Sequence, residues 1–217
     1  MKKIKKYLDA KIIGVTGGMG SGQSTVCKIM ESMGCKVIDV DKKAKQVIAK
    51  DKTLQKELKQ AFGEEIFTKE GQLDRKLLAN IAFNDASKTI LLNNLVHPRM
   101  VAEVIEEMEQ ARFSKKYPLI VIDAALIYEI SIEQVFDAII VVYADLKERI
   151  QRVMQRDGLK KSEIKARIER QIPLEDKREW ADFVIDNNGS LQNLKIQTQK
   201  IFNSLVDTVR VSRVIRV

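Results

Sequence analysis

The 217-residue sequence contains only two cysteines, three prolines and one tryptophan. Two cysteines cannot build a disulfide framework, so we interpret Cys27 and Cys35 as small buried thiols in a reducing compartment. No apolar run approaches the roughly 18 residues that read as a membrane span. The apolar stretch after the basic N-terminus lacks the small-residue cleavage site of a secretory signal. These absences predict a cytoplasmic protein that does not associate with membranes.

The sequence has fewer acidic residues than basic ones, 30 against 38, which gives a formal net charge of +8. Two classes of partner fit such an excess: nucleic acid, or a substrate that carries several phosphates. Arg149, Arg152 and Arg156 recur at a spacing that places them on one helix face. No aromatic residues alternate with them, which argues against a base-stacking nucleic-acid surface. The charge therefore favours a phosphate-rich small substrate.

A lysine is missing from a glycine-rich loop. Gly17, Gly22 and Ser24 satisfy the phosphate-loop pattern G-x-x-x-x-G-K-[ST], but Gln23 occupies the lysine position. A β-branched run over residues 11–16 predicts a buried strand before the loop, and helical spacing of apolar residues follows it. Backbone N–H groups of such a loop converge on an anion, and the serine hydroxyl would bind Mg²⁺. The context predicts a nucleoside triphosphate site despite the missing lysine.

The rest of the chain alternates strands with helices. Further strands are predicted over residues 35–41, 119–123, 138–143 and 182–186, and the stretch 51–110 has mostly helical periodicity. His97-Pro98 is expected to break the last helix of that stretch. We interpret His97, the only histidine, as a structural residue in that turn rather than a catalytic base. The alternation predicts an α/β fold with a five-stranded parallel sheet.

Acidic residues follow two of the predicted strands. The carboxyl ends of parallel strands meet at one edge of a sheet, where ligands bind. Transfer of a phosphoryl group to a hydroxyl requires a phosphate cradle, Mg²⁺, cations and a carboxylate that accepts the hydroxyl proton. Asp41 is our first choice for that carboxylate, although it also occupies a helix N-cap position. Asp123 could hold a water bound to Mg²⁺ or be a strand-terminal carboxylate without a metal.

Arg152 and Arg156 could bind the phosphates of ATP, or they could form a solvated basic face. We favour the phosphate-binding interpretation.

Taken in order, several segments resemble the dephospho-CoA kinase family over nearly the whole chain. The matching segments are Gly14–Gly22 with Ser24–Val26, Val37–Asp41, Leu73–Arg75, Leu95–Pro98, Arg152–Asp157 and Asp182–Gly189. The resemblance implies a P-loop kinase core over about residues 10–43, 117–144 and 179–207. It also implies a helical substrate subdomain over about 44–110 and a helical lid over about 145–178, all within one kinase domain. The implied reaction is ATP-dependent phosphorylation of the ribose 3′-hydroxyl of dephospho-CoA, the last step of coenzyme A biosynthesis.

The resemblance also implies roles for individual residues. Asp41 is the base and Arg156 reaches the ATP phosphates from the lid. Residues implied to bind dephospho-CoA are Asp39, Arg75 and His97, and Ser24 and Asp123 would hold Mg²⁺, the latter through water. Residues implied to bind ATP are Gly18, Gly20, Ser21, Gly22, Gln23, Ser24, Thr25, Arg152 and Asn187. We expect ATP and dephospho-CoA as partners of a monomer or weak homo-oligomer.

The chain departs from the family pattern at two positions, Ala125 and Gln23. Ala125 stands where many members have a proline, a minor backbone change. Glutamine is neutral and shorter than lysine, although its amide can donate. Three alternatives therefore stay open beside the active kinase, in which lid arginines or Lys28 would compensate. They are a catalytically silent protein that binds ATP or CoA precursors, a related nucleotide or metabolite kinase, and, more distantly, a nucleic-acid binder.

Overall fold

The computed structural model describes residues 10–68 and 71–214. The described residues form two compact units: residues 39–108 are one, and those on either side of this range make up the other. No helix in the described ranges is both long and apolar enough to cross a bilayer.

A five-stranded sheet organises the unit that contains both ends of the described chain. Its strands are β1 (Lys11–Gly17), β2 (Lys36–Asp39), β3 (Leu119–Asp123), β4 (Ala138–Tyr143) and β5 (Phe183–Asp186). They lie in the order β2-β3-β1-β4-β5. β1 pairs in parallel with β3 and β4, and β4 pairs in parallel with β5. The prediction of a five-stranded parallel α/β sheet is confirmed.

Helices connect and follow the strands. Within the described residues they are α1 (Gln23–Ser32), α2 (Val40–Lys50), α3 (Lys52–Phe62), α4 (Arg75–Phe83), α5 (Ala86–Ser114), α6 (Leu146–Asp157), α7 (Lys161–Ile168), α8 (Leu174–Trp180) and α9 (Leu191–Val214). The central strands β1, β3 and β4 are mostly apolar, as expected where both faces of a parallel sheet are covered. Side chains of α1 and α9 pack with these strands in one core cluster, which includes Met30 and Leu194.

The unit of residues 39–108 has its own helical core. Val47, Leu54, Leu58 and Val96 pack in one buried cluster, so α2, α3 and α5 bury their apolar stripes against one another. Arg99 of α5 supports this packing at the surface through ion pairs with carboxylates of α3 and of the residue that precedes it.

The expected helix break at His97-Pro98 is wrong. Pro98 lies inside the continuous helix α5. A proline removes one i to i−4 hydrogen bond, and burial of neighbouring turns can offset that loss. Val96 and Met100, on either side of Pro98, are both buried. Tertiary packing therefore keeps the helix continuous where local preference favours a break.

The helix cap after β2 lies two residues earlier than predicted, at Asp39 instead of Asp41. β2 ends at Asp39 and α2 begins at Val40, so Asp41 lies within the first turn rather than at the N-cap. The side chain of Asp39 is the cap and accepts a hydrogen bond from Lys42 N at 2.8 Å. Asp41 is thereby not required for capping.

Candidate active site

The glycine-rich loop joins β1 to α1 as the sequence predicts. Ser21 N donates to Gly18 O at 2.9 Å, which closes a tight turn, and the N-cap oxygen of Gly22 accepts the first hydrogen bonds of α1, from Thr25 N and Val26 N. Gly22 has φ +97°, a left-handed conformation that side chains disfavour. Ser24 and Thr25 follow with exposed side chains. The loop therefore presents backbone N–H groups and two hydroxyls at a helix N-terminus, where an anion is favoured.

The side-chain amide of Gln23 donates to two protein acceptors. Its Nε2 donates to the backbone oxygen of Val15 at 3.0 Å and to Oδ1 of Asp123 at 2.5 Å. An amide nitrogen has two hydrogens, so both are used by protein acceptors. The structure thus brings Gln23 and Asp123 together, but neither contact leaves an N–H for a ligand.

The end of β5 is tied to the same loop. Asn187 Nδ2 donates to Ser21 O at 2.7 Å, and Arg152 Nη2 donates to the backbone oxygen of Asn187 at 2.7 Å. A side chain on Gly22 would collide with the Asn187 amide, so only glycine permits this close approach. Arg152 Nη1 is buried and has no hydrogen-bond partner among the described residues. The link supports the predicted grouping of Asn187 and Arg152 with the loop.

Arg149, one turn before Arg152 on α6, lies directly against the glycine-rich loop. Its Nη1 occupies the space that a Cβ on Gly18 would need, and its backbone oxygen lies close to Gly20. The residue is 3% exposed, and burial lowers the pKa of its guanidinium, opposed by the charge of Glu175. A buried cation beside a phosphate-binding loop is a chemically relevant feature that the sequence-based site did not include.

A second buried cation lies on α8. Lys177 is fully buried, and its Nζ donates to Ala125 O at 3.0 Å and to Oε1 of Glu129 at 2.5 Å. Thr16 of β1 donates to the same Ala125 oxygen at 3.1 Å. Desolvation lowers the pKa of Lys177, and Glu129 opposes that shift. Ala125, where the sequence departs from the family pattern, therefore supplies an acceptor that ties α8 to β1.

Arg156 lies at the C-terminal end of α6 and is largely exposed. Its Nε and Nη2 donate to the two carboxylate oxygens of Asp157 at 2.7 and 2.8 Å. The hydrogen bonds raise the pKa of Arg156 and lower that of Asp157. The Arg156 guanidinium is thus paired with Asp157 on its own helix, and its predicted phosphate role stays a prediction.

Comparisons with known proteins identify the family. The sequence profile of dephospho-CoA kinase matches residues 11–193. The chain belongs to the dephospho-CoA kinase family. A relative named dephospho-CoA kinase from Carboxydothermus hydrogenoformans is 37% identical over 186 residues, 86% of this chain and 90% of that protein. Another with that name, from Arabidopsis thaliana, is 37% identical and covers 88% of this chain and 82% of its own length.

Solved structures place the fold in the same family. The protein TT1252 from Thermus thermophilus superposes with a TM-score of 0.79 at 35% identity, over 90% of this chain and 97% of that one. Dephospho-CoA kinase from Campylobacter jejuni superposes with a TM-score of 0.68 at 28% identity, over 91% of this chain and 98% of that one. This dephospho-CoA kinase family member thus has the kinase fold along nearly its whole length.

The acidic candidates Asp39 and Asp41 belong to the helical unit. Asp41 is exposed, yet desolvation by surrounding protein raises the pKa of its carboxyl above its ordinary value. The like charge of Asp39 adds to the increase, and Lys45 opposes it. A raised pKa makes the carboxylate a better proton acceptor, which suits the predicted base.

Arg75 and His97 lie in the same helical unit as Asp41. Arg75 begins α4 and lines a cavity of about 690 Å³, whereas His97 is half-buried on α5 and is not among the residues that line it. Lys45, Lys52 and Lys76 also line this cavity. Asp74 also lines the cavity, so its charged lining has four basic side chains and one acidic side chain, and this excess predicts a preference for anionic ligands.

The sequence reasoning placed Arg149 on a basic helix face but not among the site residues, and it did not single out Lys177. Arg149 shares its helix face with Arg152, so spacing alone could have indicated it, but no pattern distinguishes a buried arginine from a solvated one. Lys177 lies in a charged stretch whose sequence resembles an exposed helix. Burial of these cations depends on packing against β1, β4 and the loop, which local patterning does not encode.

Proposed function

We propose that the chain transfers the γ-phosphoryl group of ATP to the ribose 3′-hydroxyl of dephospho-CoA, yielding coenzyme A and ADP. The observation that carries the proposal is the glycine-rich loop held between β1 and α1, in a chain of the dephospho-CoA kinase family. Family membership does not favour the silent binder or a kinase of another substrate. The proposed compartment is the cytoplasm, and the proposed assembly is a monomer or weak homo-oligomer.

The loop and the residues tied to it are proposed to bind ATP. Ser21 N and Met19 N donate to Gly18 O and to Oε1 of Gln171, respectively. The other backbone N–H groups of the loop and helix start favour the phosphate chain, and the hydroxyls of Ser24 and Thr25 add donors at the helix N-terminus. The unpartnered Nη1 of Arg152 is a further donor beside the loop. Asn187 holds Arg152 in place through its backbone oxygen.

Asp41 is proposed to accept the proton of the 3′-hydroxyl. The oxygen of that hydroxyl forms a bond to the γ-phosphorus while the bond to the β,γ-bridging oxygen breaks, and ADP leaves with that electron pair. The proton passes to the Asp41 carboxylate. The raised pKa of Asp41 supports the assignment because general-base efficiency increases with basicity. Arg156 is proposed to neutralise charge on the transferred group after release from Asp157.

The donor set fits Mg²⁺ held mainly by phosphate oxygens and water. The described residues contain no cluster of three or more His, Cys, Asp or Glu side chains that could hold a metal. Mg²⁺ bound with a nucleotide needs only one or two protein oxygens, which the exposed Ser24 hydroxyl and Asp123 can supply. The ion would neutralise negative charge on the β- and γ-phosphates.

The helical unit is proposed as the substrate-binding part, over about residues 44–110. Its basic cavity, with Arg75 at one wall, has the charge to take the phosphates of dephospho-CoA. Asp39 and His97 are not among its lining residues. Their predicted contacts with substrate therefore rest on the family resemblance. Helices α6, α7 and α8, over about residues 145–178, are proposed to act as the lid.

A coupled assay for ADP tests the proposal. Purified protein should release ADP only when ATP, Mg²⁺ and dephospho-CoA are all present, and the product should carry the new phosphate at the 3′ position. ATP binding without turnover at high protein concentration would support the silent binder instead. Turnover with another nucleotide or metabolite acceptor but none with dephospho-CoA would support a related kinase.

A further inference from the structure

Gln23 cannot supply the positive charge that a lysine supplies at this position of a P-loop. Both amide hydrogens of Gln23 are used by Val15 and Asp123, and the side chain carries no charge. Phosphoryl transfer depends on cations placed where negative charge develops on the phosphate oxygens. A working member of this family with this residue therefore needs a cation from another element.

Arg149 is a buried cation whose Nε has no hydrogen-bond partner among the described residues. The side chain is 3% exposed. The charge of Glu175 acts on the guanidinium, but burial is the larger effect and lowers its pKa. Burial of an unpaired charge is costly unless an opposite charge is supplied.

The position of this guanidinium is defined by the loop. Nη1 lies in the space next to Gly18 that any side chain at that position would fill, and Leu174 borders the same space. The backbone of Arg149 itself packs against Gly20. Because Gly18 and Gly20 have no side chains, Arg149 can lie directly against the backbone of the phosphate-binding loop.

The neighbouring cation cannot take this role. Lys177 is fully buried, but its ammonium already donates to Glu129 and Ala125. Its charge is compensated by the Glu129 carboxylate. Arg149 therefore differs from Lys177, whose ammonium is hydrogen-bonded to a carboxylate, because Glu175 acts on Arg149 only through its charge and its Nε has no partner among the described residues.

We infer that Arg149 is a phosphate-binding residue of the nucleotide site and supplies from α6 the positive charge that Gln23 does not. The inference rests on the proposed function in so far as the phosphates are those of ATP. Arginine suits the place because its planar guanidinium offers donors in a fixed fork that matches phosphate oxygens. Bound phosphate would in turn give the unpartnered Nε of the buried guanidinium an acceptor.

Arg149→Met tests the inference because methionine keeps the length of an apolar stem without the charge. Measured in the wild-type background, the ATP dissociation constant should rise at least about 10-fold and kcat should fall about 10²-fold, the scale of one preorganised donor. The melting temperature without ligand should stay the same or rise, since an unpaired buried charge is removed. Arg149→Lys should keep part of the ATP affinity.

The same substitution in a Gln23→Lys background separates a phosphate contact from a structural role. A lysine at that position supplies the charge, so Arg149→Met should then cost less than about 10-fold in kcat. Arg112→Met is the matched control, since Arg112 is a half-exposed arginine of α5 with an ion pair to Glu109. Equal losses in both backgrounds, or ATP affinity unchanged by Arg149→Met, would overturn the inference.

A measurement on the wild-type chain covers the case in which Arg149→Met does not fold. The Nε–H resonance of Arg149, assigned in arginine-labelled protein by its loss in Arg149→Lys, should shift on addition of inorganic tripolyphosphate and not of adenosine. No shift at saturating tripolyphosphate would overturn the inference. ATP binding that depends on Arg149 without turnover of dephospho-CoA would refute the proposed function and leave the inference standing. Turnover of dephospho-CoA that is unaffected by Arg149→Met would refute the inference and leave the proposed function standing.

Discussion

Gln23 Nε2 lies 2.5 Å from Oδ1 of Asp123, and this contact joins the start of α1 to the end of β3. The same amide also donates to Val15 on β1. Gln23 therefore acts within this structure as a link between two neighbouring strands and the helix. Its place in the loop is structural, and the charge that the site needs must come from elsewhere.

Gln23→Lys should raise kcat for ADP formation. The gain should be smaller than the roughly 10²–10³-fold that a preorganised donor contributes in other sites, because Arg149 already supplies charge. Steady-state kinetics at saturating ATP and dephospho-CoA measures the effect. Gln23→Met is the control, since it fills similar space without a donor and should not raise kcat. A fall in kcat with Gln23→Lys would mean that the link to Asp123 matters more than the charge.

Asp41→Asn should lower kcat by about 10²–10⁴-fold, the usual contribution of general-base catalysis. The pH profile of kcat/KM adds a separate test. A base must be deprotonated, so activity should fall on the acid side below the raised pKa of Asp41. Asp39→Asn removes the like charge that helps to raise this pKa, so the acid limb should move to lower pH.

Asparagine caps helices about as well as aspartate, so Asp39→Asn should preserve the start of α2. An acid limb that stays in place in Asp39→Asn, or activity that survives Asp41→Asn, would contradict the assignment of the base.

The sheet was predictable because its signal is local. Continuous apolar runs such as Leu119–Asp123 distinguish buried parallel strands, and the loop pattern identifies the turn after β1. The helix break at Pro98 was predicted wrongly because the lost backbone hydrogen bond is a local effect that the sequence shows. The burial of Val96 and Met100, which keeps the helix continuous, depends on tertiary packing. For the same reason the sequence could not distinguish the buried Arg149 from the exposed Arg156. Both arginines follow the same helical spacing, and Arg149 is buried because it packs against the glycine-rich loop.

Lys177→Met should destabilise the fold by about 3–5 kcal/mol, because it leaves the half-buried Glu129 without its counter-charge. Ala125 O would also lose its lysine donor. Equilibrium unfolding in urea measures the change in free energy. The double variant Lys177→Met with Glu129→Gln should recover part of the loss, since no unpaired charge remains. Lys161→Met, at an exposed position on α7, should change stability little. A loss in Lys177→Met no larger than in Lys161→Met would contradict the importance of the pair.

Burial raises the pKa of the Cys35 thiol to about 12. The thiolate is the reactive form, so Cys35 should not react with a thiol reagent at pH 8 while the protein is folded. Mass spectrometry after brief labelling should find the residue unmodified in native buffer and modified in urea. Cys35→Ala should fold and keep kcat, because the side chain is a small buried group with no part in the proposed chemistry. Rapid native labelling would show that the start of β2 opens on the timescale of the reaction.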